Sequence, residues 1–416
     1  MRAVGLITEY NPFHNGHLHH LRESLKQADG EVSVAVMSGH FLQRGEAALF
    51  DKWRRTELAL AAGVDLVLEL PFPWACNSAP IFARGAVQVL NGLGGVDALC
   101  FGSEAGGLEP LQRCARILRE HEGTIAEKTT QLLRRGISYP VARAEVVAGL
   151  TDHPSLAGLL AQPNNILGIE YLRALQDAAS EIRPLTIQRI GAGYHERGVV
   201  DEIASATGIR HLLRQGQPVA GLLPGNVAGL MQQWLSAGVV VEEGYLCRLL
   251  LARVNQGADS LRCLYQVGDG LENRLAEAAE QTSEYEDLIS GVKSRQWTRT
   301  RIQRILCYLL NDVQAEQMEA FLEHGPLYLH LLGCSAAGEQ FLAYCRRKSE
   351  FPVVGNYSRI YALLKRYYGS GSRLHRVALQ QLELELRATR NYTLLLKNWP
   401  GGRRNRDFYE PVRRAG

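Results

Sequence analysis

The chain has 416 residues, 46% hydrophobic and 21% charged, enough for a sizeable core and, at about 150 residues per domain, for two or three domains. A count of 46 Lys and Arg against 43 Asp and Glu leaves a net charge of +3, which permits a nucleic-acid partner without demanding one. No apolar run approaches the ~20 residues of a membrane span, "MRAVGLITEYNPF" has no secretory core, and the eight cysteines form no CxxC pair; the expectation is a reduced, cytoplasmic protein with no membrane segment, disulfide framework or zinc knuckle.

In chain order, "RAVGLIT" at 2–8 reads as a strand and "HLHHLRESLKQA" as a helix. "VSVAVMSG" at 32–39 is a second strand, "KWRRTELALAAG" a helix closed at Gly63, and "VDLVLELP" at 64–71 a third strand. "SAPIFARGAVQVLNGLG" is helical and "DALCFGSE" at 97–104 is a fourth strand. Residues 110–175 read as helical, "RPLTIQRIG" at 183–191 as a strand, and "SATGIRHLLRQG" as a helix start. Such apolar strands are buried on both faces, and their alternation with helices predicts a doubly wound parallel α/β sheet over residues 1–215. "NVAGLMQQWLSAG", "EGYLCRLLLARV", "GLENRLAEAAEQT" and "RIQRILCYLLNDV" predict an all-α domain over 225–390, with "FPVVGN" its one strand-like run. Residues 391–416 read as a loosely ordered basic tail.

The stretch "TEYNPFHNGHLHHL" follows the first strand and opens the first helix. Ligands of an open parallel sheet bind beyond the carboxyl ends of strands, and a helix N-terminus there suits phosphate. His14 and His17 lie three apart, and Gly16 lets a ligand approach the backbone. Two imidazoles there can donate to phosphate oxygens and stabilise a phosphoryl or nucleotidyl transfer transition state. A zinc helix instead spaces its histidines i, i+4 around a glutamate, so no metal site is predicted here. His19 and His20 are solvated helix positions by default. In "IASATGIRHLL", Ser205 and Thr207 are candidate helix caps that, with Arg210 one turn in, also make a phosphate clamp.

"YNPFHNGH" resembles the HxGH signature of the nucleotidyltransferase superfamily, and "SATGIR" its "ISSTxIR" element, which implies a Rossmann-like nucleotidyltransferase fold. Small adenylyltransferases of that group carry glycine where Thr8 stands. "AVGLITEYNPFHNGHLHHL", "VMSGHFLQRGEAALFDKWRRTELAL", "GVDLVLELPF", "FGSE", "PNNILGIEYL", "WTRTRIQRIL" and "YLHLLGCSAAGEQFL", in that order from residue 2 to about 345, together resemble the bacterial tRNA(Met) cytidine acetate ligases. The resemblance implies that ATP and acetate form acetyl-adenylate and pyrophosphate, and that the acetyl group passes to the wobble cytidine of elongator tRNA(Met), giving N4-acetylcytidine without acetyl-CoA. It also implies an ATP site of Ile7, Thr8, Glu9, Tyr10, Asn11, Pro12, Phe13, His14, Asn15, Gly16, His17, Leu18, His19 and His20, with Gly102, one or both of Asn164 and Asn165, and Arg189, alongside Ser205, Thr207 and Arg210. His14 and His17 are the expected catalytic residues. Magnesium is expected on the phosphates, held largely by phosphate oxygens and water.

His40, Arg44, Lys52, Arg54 and Arg55 are candidates for substrate or tRNA contact, against a plain solvated helix face for Lys52, Arg54 and Arg55. "GVKSRQWTRTRIQR" carries Lys293, Arg295, Arg299, Arg301 and Arg304 without one acid, a candidate tRNA surface in which Trp297 stacks on a base or packs in the core. The alternatives are a small-molecule adenylyltransferase, which has no use for a long helical basic domain, and a non-catalytic ATP-binding, tRNA-binding protein. A class I aminoacyl-tRNA synthetase would need a KMSKS-like segment, which is absent.

Overall fold

A computed structural model of the chain describes residues 1–135, 137, 139–150, 155–189 and 204–415. Its first five strands are β1 (Ala3–Thr8), β2 (Val32–Ser38), β3 (Leu66–Leu70), β4 (Ala98–Ser103) and β5 (Arg183–Gln188). The end of the strand expected at 183–191 lies outside the described residues. Three more strands, β6 (Leu329–Cys334), β7 (Val353–Val354) and β8 (Arg413–Arg414), complete one sheet in the order β5-β4-β1-β2-β3-β6-β7, with β8 against β6.

The alternation of side chains along a strand explains why so many apolar residues fit. Val32, Val34 and Val36, Leu66, Leu68 and Leu70, and Leu99 and Phe101 enter one core. Val4 and Leu6, Ala35 and Met37, Val67, and Ala98 and Cys100 enter another. Both faces are therefore covered by helices, among them α1 (Asn15–Ala28), α2 (Lys52–Ala61), α3 (Ala79–Leu93), α4 (Pro163–Asp177) and α5 (Ala206–Arg214).

The strands from β5 to β3 run parallel, and the order reverses between β1 and β4. There β1 and β4 pair only at Val4–Ala98 and Gly5–Leu99, whereas β1 pairs with β2 along its full length, Ala3 to Thr8. The carboxyl ends of β1 and β4 thus part, and a crevice opens at the topological switch point.

The α/β expectation holds, with two corrections. The region past residue 225 is helical at Gly225–Ser236, Glu243–Val254, Leu271–Glu280, Tyr285–Val292 and α6 (Arg299–Leu310), yet it also returns β6 to the sheet, antiparallel to β3. The C-terminal stretch is not a loose arm. Beyond α7 (Arg373–Leu394), Asp407 is 1% exposed and contacts Lys52 Nζ at 2.6 Å, Arg406 meets Asp51 at 2.7 Å, and β8 extends the sheet. A buried cation on α2 needs an anion beside it, and the tail supplies one.

Candidate active site

The loop between β1 and α1 is held from three sides. Arg55, fully buried on α2, donates to the carbonyls of Glu9 (2.7 Å), Ser38 (3.0 Å), Gly39 and Phe50 (3.0 Å), which ties the ends of β1 and β2 together. Asn11 Oδ1 accepts from the Leu49 N–H at 2.7 Å, and Arg210 Nη1 donates to the Asn11 carbonyl at 2.8 Å. Tyr10 and Phe13 are buried and enclose His17, with ring centroids 5.0 and 5.5 Å from it.

His14 is the N-cap of α1, and its Nδ1 accepts the Gly16 N–H at 3.1 Å. That bond puts the imidazole proton on Nε2, which is left as a donor. The His14 and His17 rings lie 3.8 Å apart. Burial, aided by Arg189 and Arg210, pushes the His14 pKa down to about 3. Burial, then His14 and Arg189, holds His17 well below its ordinary value, and burial with Arg189 and His19 brings His20 to about 4. The pair is neutral at physiological pH and receives an anion through N–H donors beside two guanidinium groups.

These groups face a cavity of about 270 Å³ at the switch point. From the expected ATP site, Ile7, Thr8, Glu9, Tyr10, Asn11, His14, Gly16, His17, His19, His20, Gly102, Asn164, Arg189, Ser205, Thr207 and Arg210 line it. Pro12, Phe13, Asn15, Leu18 and Asn165 do not. Phe13 and Leu18 pack into the core, and Asn15 Nδ2 donates to the Gly221 carbonyl at 3.1 Å. The two asparagines separate cleanly. Asn165 is fully buried between the Ala105 N–H and Gln162, whereas Asn164 reaches the cavity. Glu104 accepts from both backbone N–H groups and from Asn164 Nδ2, so the acid of "FGSE" anchors the start of α4, where the helix dipole favours a negative charge.

A Cβ on Gly102 would meet Arg189 Cγ at 3.2 Å, so glycine there lets the arginine lie close over β4. Ser205 caps α5 by accepting from the Gly208 N–H at 3.1 Å; Thr207 lies on its first turn and Arg210 on the next. Arg210 also pairs with Glu46 at 2.9 Å. Three buried polar atoms of lining residues, Asn11 Nδ2, His17 Nδ1 and His20 Nε2, have no hydrogen-bond partner.

The sequence reading missed the lining residues Leu42, Gln43, Glu46, Phe101, Tyr171 and Gln188. The signal was available for Gln43 to Glu46, because they follow the carboxyl end of β2, and Arg44 lines the cavity with them. The other cations of that stretch need correction. Lys52 and Arg55 are buried rather than solvated, His40 is buried against Tyr392, and Arg54 is paired with Asp51. None of the four lines the cavity. The tRNA candidates also divide. Lys293, Arg295 and Arg299 are exposed, although Arg299 grips Glu286 through both nitrogens at 2.7 and 2.5 Å. Trp297 is buried, with Arg301 4.2 Å over its ring, and Arg304 leans on the Gln43 carbonyl at 3.5 Å.

Among the described residues, a cluster able to ligate a cation is formed by Glu69, His330 and Asp407, and Lys52 Nζ already lies 2.6 to 2.9 Å from its carboxylates. The cavity itself offers the carboxylates of Glu9 and Glu46, the second paired with Arg210. These are too few for a resident ion and leave a nucleotide's cation to phosphate oxygens and water.

A parallel sheet opened at its switch point, with two imidazoles at a helix N-terminus and guanidinium groups from two further elements, defines a nucleotide site of the nucleotidyltransferase class. A family model described as HIGH Nucleotidyl Transferase matches residues 1–407. A protein of Syntrophotalea carbinolica named tRNA(Met) cytidine acetate ligase is 56% identical over 99% of this chain and 98% of its own length, and a Bacillus subtilis protein of the same name is 34% identical over 95% and 92%. The crystal structure of Thermotoga maritima TmcAL bound with alpha-thio ATP superposes with a TM-score of 0.91 at 33% identity, covering 100% of this chain and 99% of that one. The apo form of the same protein gives 0.93. The chain belongs to the HIGH nucleotidyl transferases and, within them, to the tRNA(Met) cytidine acetate ligase family.

Proposed function

We propose that the protein uses ATP and acetate to form acetyl-adenylate and pyrophosphate, then transfers the acetyl group to the wobble cytidine of elongator tRNA(Met), giving N4-acetylcytidine. The observation that carries this reading is the set of three partnerless buried polar atoms around the His14–His17 pair. Leaving such an atom unsatisfied costs about 1–3 kcal/mol, so a set of them in one crevice marks a polar ligand.

Acetate is a weak nucleophile and approaches an anionic α-phosphate. His14 and His17 donate to the phosphate oxygens as charge builds in the pentacoordinate state, while Arg210 and Thr207 hold the outer phosphates. Arg189 and Asn164 take the nucleoside end with Gly102. Magnesium, if bound, would be held by phosphate oxygens and water and would offset charge on the triphosphate. Acetyl-CoA has no part in the reaction. Lys293, Arg295 and Arg299 are the exposed cations for the tRNA backbone, with Arg301 and Arg304 closer to the cavity loop. Wobble-base chemistry requires the cytidine splayed into the crevice. Work on tRNA goes with a cytoplasmic location, and no helix among the described residues is long and apolar enough to cross a membrane.

The test is incubation of the protein with ATP, radiolabelled acetate and individual tRNA transcripts. Label is expected in N4-acetylcytidine of elongator tRNA(Met) alone. Pyrophosphate release that ignores acetate would instead point to an adenylyltransferase for another substrate, and ATP binding without turnover to a non-catalytic RNA-binding protein.

A further inference from the structure

We propose that Glu9 is the general base that takes the proton from the exocyclic amine of cytidine as it attacks the acetyl-adenylate. The exocyclic nitrogen of cytosine is a poor nucleophile, because its lone pair is delocalised into the ring. Its attack becomes productive when a positioned base removes the proton. The nitrogen bonds to the acetyl carbon, the carbon–oxygen bond to AMP breaks, AMP leaves with that electron pair, and the amine proton passes to the Glu9 carboxylate and on to water.

The cavity wall narrows the choice. Among the described residues it holds two carboxylates, Glu9 and Glu46, and the second is bound to Arg210. Arg44, Arg189 and Arg210 carry no usable lone pair. His14 spends its Nδ1 on the Gly16 N–H and its Nε2 carries the proton, and burial makes His17 and His20 weaker bases than an ordinary imidazole. Glu9 follows directly on β1, five residues before His14. Its carboxylate is aimed by one bond, Oε1 accepting the Gln43 N–H at 2.7 Å, and its backbone is fixed by Arg55. Arg55 meets the Glu9 carbonyl rather than its carboxylate. The groups acting on that carboxylate are Glu46, Arg55, Arg210, Arg44 and Tyr171. Burial raises the pKa of Glu9 above its ordinary value and Glu46 adds to the rise, while the Gln43 N–H, Arg55 and Arg210 work against it. A more basic carboxylate is a better proton acceptor.

This assignment rests on the acetate-ligase reading, and the two half-reactions separate them. Glu9→Gln keeps the side chain's shape and an oxygen for the Gln43 N–H. The purified full chain is assayed for ATP affinity, for acetate-dependent pyrophosphate exchange without tRNA, and for single-turnover acetyl transfer from preformed acetyl-adenylate to elongator tRNA(Met) across pH. The expected result for E9Q is a loss of transfer rate at least about 10²-fold greater than any loss of ATP affinity or of exchange. The parent's transfer rate should fall at acid pH, the E9Q rate should lose that fall, and Glu9→Asp should regain part of the rate. Transfer by E9Q at the parent rate, an unchanged acid fall, or equal loss of exchange and transfer would overturn the role of Glu9. Absence of acetate-dependent exchange in the parent would overturn the acetate-ligase reading instead.

Discussion

His14 is buried and His17 and His20 are half-buried around the cavity, the last two each with one ring nitrogen left unpaired, while Lys52, Glu69, His330 and Asp407 are buried at the start of α2 with their charges matched. Lys52 lies 2.8 Å from Glu69 and 2.6 Å from Asp407, and His330 Nδ1 lies 2.5 Å from Glu69. Both clusters contain histidine and charge, and by composition either passes for a site. Partnering tells them apart. The Lys52 cluster is built as an internal counter-ion lattice between α2, β3, β6 and the C-terminal stretch, whereas the histidines wait for groups the protein does not supply.

The largest effect is expected where charges are matched. Lys52→Met leaves Glu69 and Asp407 buried without their cation and should lower stability by roughly 3–5 kcal/mol, read by urea unfolding. An unchanged urea midpoint would mean that the lattice contributes nothing. At the cavity the weight should fall on rate instead. His14→Ala removes one donor aimed at the phosphates, so acetate-dependent pyrophosphate exchange should slow by about 10²–10³-fold, with only the roughly 0.5–2 kcal/mol of stability that a lost N-cap costs. A stability loss as large as that of Lys52→Met would erase the contrast between the clusters.

A smaller effect concerns pH. The His14 pKa is about 3 when folded, below the ordinary value of 6.5, so the unfolded chain binds the proton first. Stability from this group is complete above pH 6.5 and is lost as pH falls toward 3, by up to about 1.4 kcal/mol per unit. ATP places negative charge beside the imidazoles and raises their pKa, so its stabilising shift in thermal unfolding should be larger at pH 5.5 than at pH 7.5. For Glu69, burial raises the pKa, but Lys52 and His330 outweigh it and hold the carboxyl below the ordinary range. Its contribution is present above pH 4.5, is lost only on further acidification, and should not respond to ATP. A nucleotide shift equal at both pH values would contradict the neutral-imidazole picture.

Much of this was legible in local sequence. The strands β1 to β5 are short, apolar and bounded by turn residues, and the strand–loop–helix frame fixes where His14, Gly16 and His17 stand. β6 was not legible, because its partner β3 lies some 260 residues away in the chain and "LHLLGC" carries a histidine whose counter-ion, Glu69, sits on that strand. The charged residues of α2 mislead for the same reason. Lys52 and Arg55 read as a solvated face, and only the fold brings Asp407 to one and three strand-end carbonyls, of Glu9, Ser38 and Gly39, to the other. The tail's arginines likewise looked free until Arg406 met Asp51 and Arg413 met Glu57. The split between Asn164 and Asn165 depends on which face of α4 meets the crevice, and a sequence of two adjacent asparagines does not encode it.

The most direct test of the central claim is pyrophosphate exchange into ATP, measured with and without acetate and without tRNA. Exchange should require acetate and should slow by about 10²–10³-fold in His14→Ala. Exchange that is indifferent to acetate, or that runs at the parent rate in the His14 variant, would contradict this.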